Sequence, residues 1–330
     1  MEVIRSSVML HGSEVGEALG EVLVTGASGR LGRSLIPLLQ SMGYTVRALA
    51  QRKEGIISLP QGILPYFGDL CDRKALRDAC DGVQSVYHLA SIVSQHKAKP
   101  ENILRVNVEG TKCVIDAAEA AGAGRFFFSS TVDVYGSKRH GVLTESSETR
   151  PNDMYGESKL LAEREIAEHG SMRNAIFRIA AIYGPGFEGS FFKVMRAIKS
   201  GKILVIGSGT NVLALVHVRD LLEAFRLATA SDKALGVYNI ADGESHTQEE
   251  LLRKAAEMIG ASPPASHAPE PLVRILAKRR GLDSDELRFI TSNRQIDISK
   301  ARKELGFRPV IGIDNGGKEL ARLFLSSTHG

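Results

Sequence analysis

The 330-residue chain has few cysteines, little net charge and no long apolar segment, and each absence excludes a class of protein. The cysteines, Cys71, Cys80 and Cys113, form no CxxC pair. We therefore expect free thiols in a reducing compartment, with neither a disulfide framework nor a metal site. The formal net charge of +4 is too small and dispersed to indicate nucleic-acid binding. No apolar run is long enough to cross a bilayer.

The amino-terminal residues also lack the apolar core of a signal peptide, because the short run Val8, Met9, Leu10 is followed at once by polar residues. We expect residues 1–19 to be a flexible extension and the protein to be cytoplasmic. The composition, 43% hydrophobic and 24% charged, is typical of a globular protein. The length suits one large or two modest domains.

What the sequence does contain is a glycine-rich stretch, residues 21–32, in which an apolar run enters a loop and continues into a helix pattern. Gly26, Gly29 and Gly32 have the spacing GxxGxxG. A strand that turns through glycines into a helix presents free backbone N–H groups, which suit a pyrophosphate. Alone, the motif is as typical of an ordinary βα turn as of a cofactor site.

Strand and helix signals then alternate as far as about residue 182. This alternation predicts parallel βαβ units and hence an α/β fold, a Rossmann-type doubly wound parallel sheet. We predict a cofactor-binding domain over residues 20–182, to which the chain returns near 212–242, and a smaller, interleaved α+β substrate-binding domain over 183–330. Among the helices, we predict a continuous one over 101–121 and a basic one over 271–280 that lies over the substrate.

The choice of cofactor depends on the end of the second predicted strand. Folds that bind NAD usually place a carboxylate there for the ribose hydroxyls, but this chain has Ala50 and then the run QRK. Arg52, Lys53 and Arg30 of the glycine loop can face a 2′-phosphate; alternatively, they are ordinary solvated charges. We favour NADP(H) over NAD(H), chiefly because the acid is absent.

Two further motifs place polar groups where catalysis could use them. Tyr155 and Lys159 lie four residues apart on a predicted helix and so share one face. A neighbouring ammonium and the positive ring of an oxidised nicotinamide cofactor would lower the tyrosine pKa from about 10 and make it a general base, although this spacing is more often a surface pair. Thr131 follows the fifth predicted strand, where its hydroxyl can donate to a substrate or merely end the strand.

Seven motifs follow one another in an order that is typical of one family: GASGRLG, GDL, VYHLAS, NVEGT, SSTVDVYG, YGESK and RIAAIYGPG. With the later segments DISKA and ELGF, residues 21–310 resemble the extended short-chain dehydrogenase/reductase family. The resemblance implies a homodimer and hydride transfer between a nicotinamide ring and a substrate carbinol carbon, with Tyr155 moving the hydroxyl proton.

The residues and the resemblance together predict the site. The predicted catalytic residues are Thr131, Tyr155, Lys159 and Asp133. The predicted cofactor-binding residues are Gly26, Ser28, Gly29, Arg30, Leu31, Gly32, Gln51, Arg52, Asp69, Leu70, Leu89, Ala90, Ser91, Asn107, Tyr155, Lys159, Ala181 and Ile182. Asn107 resembles the family's structural asparagine behind the site.

The resemblance leaves the substrate open. Asp133 resembles, one methylene shorter, the glutamate with which nucleotide-sugar dehydratases remove a proton; alternatively, it caps its own loop. Leu213 stands where nucleotide-sugar enzymes carry an arginine for the diphosphate, which favours an apolar substrate, although Arg288 or Arg294 can replace that contact.

Three functions follow from these patterns. We expect foremost an NAD(P)-dependent oxidoreductase of an apolar secondary alcohol or ketone, steroid- or flavonoid-like. The alternatives are a nucleotide-sugar 4-epimerase or dehydratase and a non-catalytic NADP(H)-binding regulator. The presence of Thr131, Tyr155 and Lys159 disfavours the regulator.

Overall fold

The computed structural model describes residues 19–57, 59–93, 98–169, 172–279 and 284–327. The predicted extension, residues 1–19, lies outside this part of the chain except for Leu19, whose N–H donates to the Gly43 carbonyl at 2.9 Å.

The strands are β1 (Gly20–Thr25), β2 (Tyr44–Ala50), β3 (Leu64–Phe67), β4 (Ser85–His88), β5 (Arg125–Thr131), β6 (Lys138–Leu143), β7 (Arg173–Ile179), β8 (Ala181–Tyr183), β9 (Val205–Ile206), β10 (Val212–Leu213), β11 (Leu215–His217), β12 (Gly236–Ile240), β13 (His246–Thr247), β14 (His267–Ala268) and β15 (Asn293–Ile296). The helices are α1 (Arg30–Ser41), α2 (Glu54–Ile57), α3 (Arg73–Cys80), α4 (Pro100–Leu104), α5 (Gly110–Ala120), α6 (Met154–Ala167), α7 (Gly189–Lys199), α8 (Val218–Ala230), α9 (Gln248–Met258), α10 (Glu270–Arg279), α11 (Ser284–Ile290), α12 (Ser299–Leu305) and α13 (Ile313–Ser327). A π-helical turn spans Arg105–Glu109, and a 3₁₀ turn spans Val132–Tyr135.

The centre of the molecule is a seven-stranded parallel sheet in the order β12-β7-β5-β4-β1-β2-β3. The chain enters at β1, winds outward to β3, then crosses to β4 and winds outward to β12. A parallel sheet that is covered on both faces needs apolar residues at successive positions, and Val22, Leu23 and Val24 are all fully buried. The fold is Rossmann-like α/β, which confirms the predicted fold class.

The predicted continuous helix over 101–121 is wrong in one respect, because α4 and α5 are separated by the π-helical turn. The wider turn carries Asn107, which is only 1% exposed and whose side chain bonds to the loop after β4 and to α6. π-turns in helices often occur where a side chain must be placed for function. Periodicity of apolar residues cannot reveal such an insertion.

The second half of the chain folds back onto the first. Strand β15 pairs in parallel with β6, which places Asn293 beside Lys138. The next residue of β15, Arg294, thereby reaches Asp133 just beyond the carboxyl end of β5. Helices α7, α9 and α13 pack around the buried ring of Phe324. Within the residues described, no helix is both long and apolar enough to cross a membrane.

Candidate active site

The loop between β1 and α1 requires glycine for steric reasons. Gly26 has a φ of +68°, and a Cβ there would lie 2.6 Å from the backbone nitrogen of Ala90. A Cβ on Gly32 would lie 2.5 Å from the carbonyl oxygen of Gly26. No side chain caps α1 at Gly29, so the first N–H groups of the helix are available to a ligand. This geometry fits the pyrophosphate of a dinucleotide.

Asp69 lies two residues after β3. We call the carboxyl edge of the sheet between the glycine loop and Asp69 the cofactor groove. The Asp69 carboxylate accepts hydrogen bonds from Gln51 Nε2 at 2.9 Å, from the Cys71 N–H at 3.2 Å and from Arg105 Nη1 at 3.2 Å. Although desolvation opposes ionisation, these partners lower the pKa of Asp69. The adjacent Leu70 is buried. Two predicted cofactor residues, Gln51 and Asp69, are therefore in direct contact.

A basic group lies beside the glycine loop at the end of β2. Gly55 in α2 packs so closely on Ser28 that an added Cβ would lie 3.0 Å from the serine Cβ, which brings the exposed Arg52 and Lys53 close to the loop. Arg33, which sequence reasoning missed, donates from Nε to the Ser28 carbonyl at 2.8 Å. Its position one turn into α1, directly after the third glycine, was the available signal.

Arg30 points elsewhere. Its guanidinium lies over the ring of Phe187, 5.7 Å from the centroid, on the segment that precedes α7. This cation–π contact turns the exposed Arg30 side chain toward the second half of the chain. Its contact with a 2′-phosphate stays a prediction.

Asn107 joins the loop after β4 to helix α6. Its Oδ1 accepts from the Ile92 N–H at 2.8 Å and from Ser91 Oγ at 3.2 Å, and its Nδ2 donates to the Ile92 carbonyl and to Ser158 Oγ, each at 2.9 Å. Both ends of the amide are engaged within the protein. Asn107 therefore positions Ser91 and α6 rather than contacting a ligand, which corrects its place among the cofactor-binding residues.

Lys159 is buried in α6 with its ammonium under the carboxyl end of β5. The side chain is 1% exposed; Nζ donates to the Ser129 carbonyl at 2.8 Å and lies 4.6 Å from the centroid of the Phe128 ring. Burial lowers the pKa of Lys159 to about 7, although Glu163 opposes this effect. Helical spacing does bring Tyr155 onto the same face, with its ring centroid 6.0 Å from Nζ.

Within the protein, desolvation raises the pKa of Tyr155, and the carboxylates of Asp133 and Asp153 raise it further. A hydrogen bond with Ser91 has the opposite effect but is weaker. Lys159 does not offset these effects. The lowering that the sequence predicts therefore depends on the positive charge of a bound oxidised cofactor. Without that charge the phenol keeps its proton at neutral pH.

Thr131, the last residue of β5, is hydrogen-bonded to Asp133. Its hydroxyl accepts from the Asp133 N–H and donates to Asp133 Oδ2, both at 3.1 Å. Asp133 Oδ1 in turn accepts from Nη1 of the buried Arg294 at 2.5 Å. Desolvation opposes ionisation, but Arg294 and Thr131 outweigh it and lower the pKa of Asp133. The carboxylate is thus ionised and fixed.

A second ion pair lies next to the first and was not predicted. Asp153 caps α6 by accepting from the Gly156 N–H at 2.8 Å, and its Oδ2 lies 3.5 Å from Nε of Arg288 in α11. An aspartate three residues before a helical glycine is a recognisable cap signal. Its arginine partner is 135 positions away, and no local pattern reveals it.

The remaining predicted cofactor residues also lie along the carboxyl edge of the sheet or on β8: Ser28, Leu31, Leu89, Ala181 and Ile182. Leu213, which suggested an apolar substrate, is 4% exposed, and its neighbour Leu215 is 1% exposed. They serve packing rather than an open cleft. Among the described residues, no three His, Cys, Asp or Glu side chains are grouped to hold a metal ion.

The fold and this edge of the sheet define a Rossmann-type nucleotide-binding protein with a tyrosine and a lysine on one helix. Residues 22–241 match the model of the NAD dependent epimerase/dehydratase family. The chain belongs to this family and is an enzyme of the extended short-chain dehydrogenase/reductase type, which confirms the predicted family.

Relatives of two substrate classes are equally similar. The UDP-glucose 4-epimerase of Vibrio cholerae is 28% identical over 93% of this chain and 96% of the relative. The 3-beta-hydroxysteroid dehydrogenase of Mycolicibacterium neoaurum is 28% identical over 88% of both chains. The structure of MoeE5 in complex with UDP-glucuronic acid and NAD has a TM-score of 0.76 and 28% identity, covering 93% of this chain and all of MoeE5.

Proposed function

We propose that the protein is an NADP(H)-dependent oxidoreductase that interconverts a secondary alcohol and a ketone on an apolar, uncharged substrate. The observation that carries the proposal is the neutralisation of both arginines beside Thr131. Arg294 is bound to Asp133 and Arg288 to Asp153. Paired in this way, neither arginine offers an uncompensated charge to the diphosphate of a nucleotide sugar.

Helix α10 supports the apolar character of the substrate. Leu272, Ile275 and Leu276 share one helix face and are 49%, 54% and 41% exposed. The helix packs beside α11, which carries Arg288. Exposed apolar residues at this spacing are suited to cover an apolar molecule.

Tyr155 is the proposed general acid and base, and a nicotinamide cofactor, when bound, supplies the hydride or accepts it. Because the pKa of Tyr155 is raised, the phenol holds its proton at neutral pH and can donate it to a ketone oxygen. Lys159 orients the cofactor ribose from beneath β5. Thr131 lies beside the substrate oxygen, and the Asp133 carboxylate, which only accepts hydrogen bonds, orients the Thr131 hydroxyl.

The reaction is tested by adding NADPH and a panel of steroid and flavonoid ketones to the purified enzyme and following NADPH absorbance. The proposal expects net consumption of NADPH with an apolar ketone. A nucleotide-sugar 4-epimerase, the second candidate given the Vibrio relative, would convert UDP-glucose without net NADPH consumption and with a cofactor that survives dialysis. That second result would overturn the proposal.

The preference for NADP(H) is expected to depend on Arg52 and Arg33. Replacing either by alanine removes a charge-assisted contact with the 2′-phosphate, and we expect KM for NADPH to rise about 10-fold or more while KM for NADH stays unchanged. Arg322→Ala, on the exposed side of α13, is the matched control. Equal changes in both KM values would contradict the assignment.

Asp133 distinguishes oxidoreductase from dehydratase chemistry. The lowered pKa of Asp133 means that no proton is available on it near neutral pH, so we assign it a positioning role. We expect Asp133→Asn to lower kcat for ketone reduction about 10-fold and to leave its pH profile unchanged above about pH 5. A loss of about 10³-fold or a shifted profile would instead make Asp133 the acid–base group.

We also propose that the protein is a homodimer and that its cofactor-binding and substrate-binding domains divide at residue 182. The resemblance suggests an interface formed by α5 and α6, and α5 carries the exposed charges of Lys112 and Asp116. Light scattering of the purified protein measures the number of subunits directly.

A further inference from the structure

Two of the three cysteines, which the sequence places 42 positions apart, meet in the folded protein. Cys71 lies in the loop between β3 and α3, and Cys113 lies in the first turn of α5. Their Sγ atoms are 3.1 Å apart. Both residues are partly exposed, whereas Cys80 is buried. Two accessible thiols at this separation need to approach by only about 1 Å to reach the S–S bond length.

We propose that Cys71 and Cys113 are a modification site that takes low-molecular-weight disulfides and closes to an intramolecular disulfide. One cysteine thiolate attacks a sulfur of the small disulfide, and the first small thiol leaves with a proton. The second cysteine attacks the mixed disulfide, and the second small thiol leaves. Two cysteine thiols are oxidised to one disulfide, and one small disulfide is reduced to two thiols.

The location of the pair connects it to the cofactor groove. The Cys71 N–H donates to Asp69 at 3.2 Å, and the preceding Leu70 packs so tightly on Gly110 of α5 that an added Cβ would lie 2.9 Å from Leu70 Cδ1. Closing the bond pulls this loop toward α5. We expect bridging to displace Asp69 and Leu70 and to weaken binding of an adenine cofactor, a consequence that rests on the proposed function.

The charged groups around the pair determine how fast it reacts. Desolvation, Cys113 and Asp69 raise the pKa of Cys71 to about 12, and Arg105 opposes them. The thiol is therefore mostly protonated near neutral pH. We expect bridging to accelerate from about pH 7 to about pH 9, because the thiolate is the nucleophile.

The test incubates the full chain with glutathione disulfide and measures intact mass and free thiols. We expect the mass of two hydrogen atoms to be lost, two of the three thiols to disappear, and dithiothreitol to reverse both changes. Cys71→Ser and Cys113→Ser are each expected to abolish the loss, whereas Cys80→Ala, the matched control, keeps it. A persistent mixed disulfide on the wild type, or no change in mass, would overturn the proposal.

The effect of the disulfide on cofactor binding is measured separately, as the Kd for NADPH before and after the bond forms. A higher Kd in the bridged wild type, with no change in treated Cys71→Ser, supports it, and equal Kd values refute it. If the reduced protein binds no nicotinamide cofactor at all, the proposed function fails, while the mass measurement still decides whether the disulfide forms.

Discussion

Replacing Tyr155 by phenylalanine is expected to lower kcat about 10²- to 10⁴-fold, the usual contribution of a positioned general acid. The substitution removes only the hydroxyl and keeps the ring that faces Lys159 at 6.0 Å. Binding of NADPH, measured by fluorescence or thermal shift, is expected to remain within about threefold, because the phenol acts on the substrate proton rather than on cofactor binding.

Tyr44→Phe is the matched control for this experiment. Tyr44 begins β2 at the opposite, amino-terminal edge of the sheet, so its hydroxyl is remote from the site and its loss should leave kcat unchanged. Full turnover in Tyr155→Phe on a confirmed substrate would show that another group moves the proton. A parallel loss of cofactor binding would instead indicate that the ring, and not the hydroxyl, had been disturbed.

The largest effect on stability is expected at Arg178, a residue of β7 whose side chain lies in a buried hydrogen-bond network. Its guanidinium contacts both carboxylate oxygens of Glu163, with Nη2 at 2.6 Å from Oε2, and the two side chains are 7% and 5% exposed. Nη1 donates to the Tyr135 hydroxyl at 3.0 Å, which donates to Asn239. Arg178→Met leaves Glu163 buried without its partner and should cost about 3–5 kcal/mol of unfolding free energy.

Two further variants separate an unpaired charge from lost packing. Arg178→Met/Glu163→Leu removes both charges and should recover about half of that loss in urea unfolding, since the buried carboxylate is gone. Arg253→Met breaks an ion pair with Glu257 whose members are 51% and 58% exposed, and should cost less than about 1 kcal/mol. A double variant as unstable as the single one would show that packing, not charge, dominates.

Much of the architecture was predictable because its signals are local. The glycine spacing at Gly26, the alternation of apolar strands with helices, and the four-residue spacing of Tyr155 and Lys159 each depend on near neighbours in the chain. They predicted the parallel sheet and the edge at which the proposed site lies. Strand β12, which completes the sheet beside β7, lies in the segment 212–242 where the chain was predicted to return to the cofactor-binding domain.

The parts that sequence reasoning missed depend on partners far apart in the chain. Arg294 and Asp133 are separated by 161 positions, and the pairing of β6 with β15 that brings them together has no periodic signature. The same applies to Cys71 and Cys113. The contact of Arg30 with Phe187 was missed as well, because it depends on how the second half of the chain folds back.

The position of β12 has a consequence for synthesis of the chain. Its register pairs Val237 with Ile176 and Tyr238 with Phe177, so one edge of β7 stays unpaired until residue 240 has left the ribosome. Open edges of this kind recruit other strands, and non-local parallel pairing is slow. We expect a nascent chain that stalls between residues 179 and 240 to be the form most in need of a chaperone.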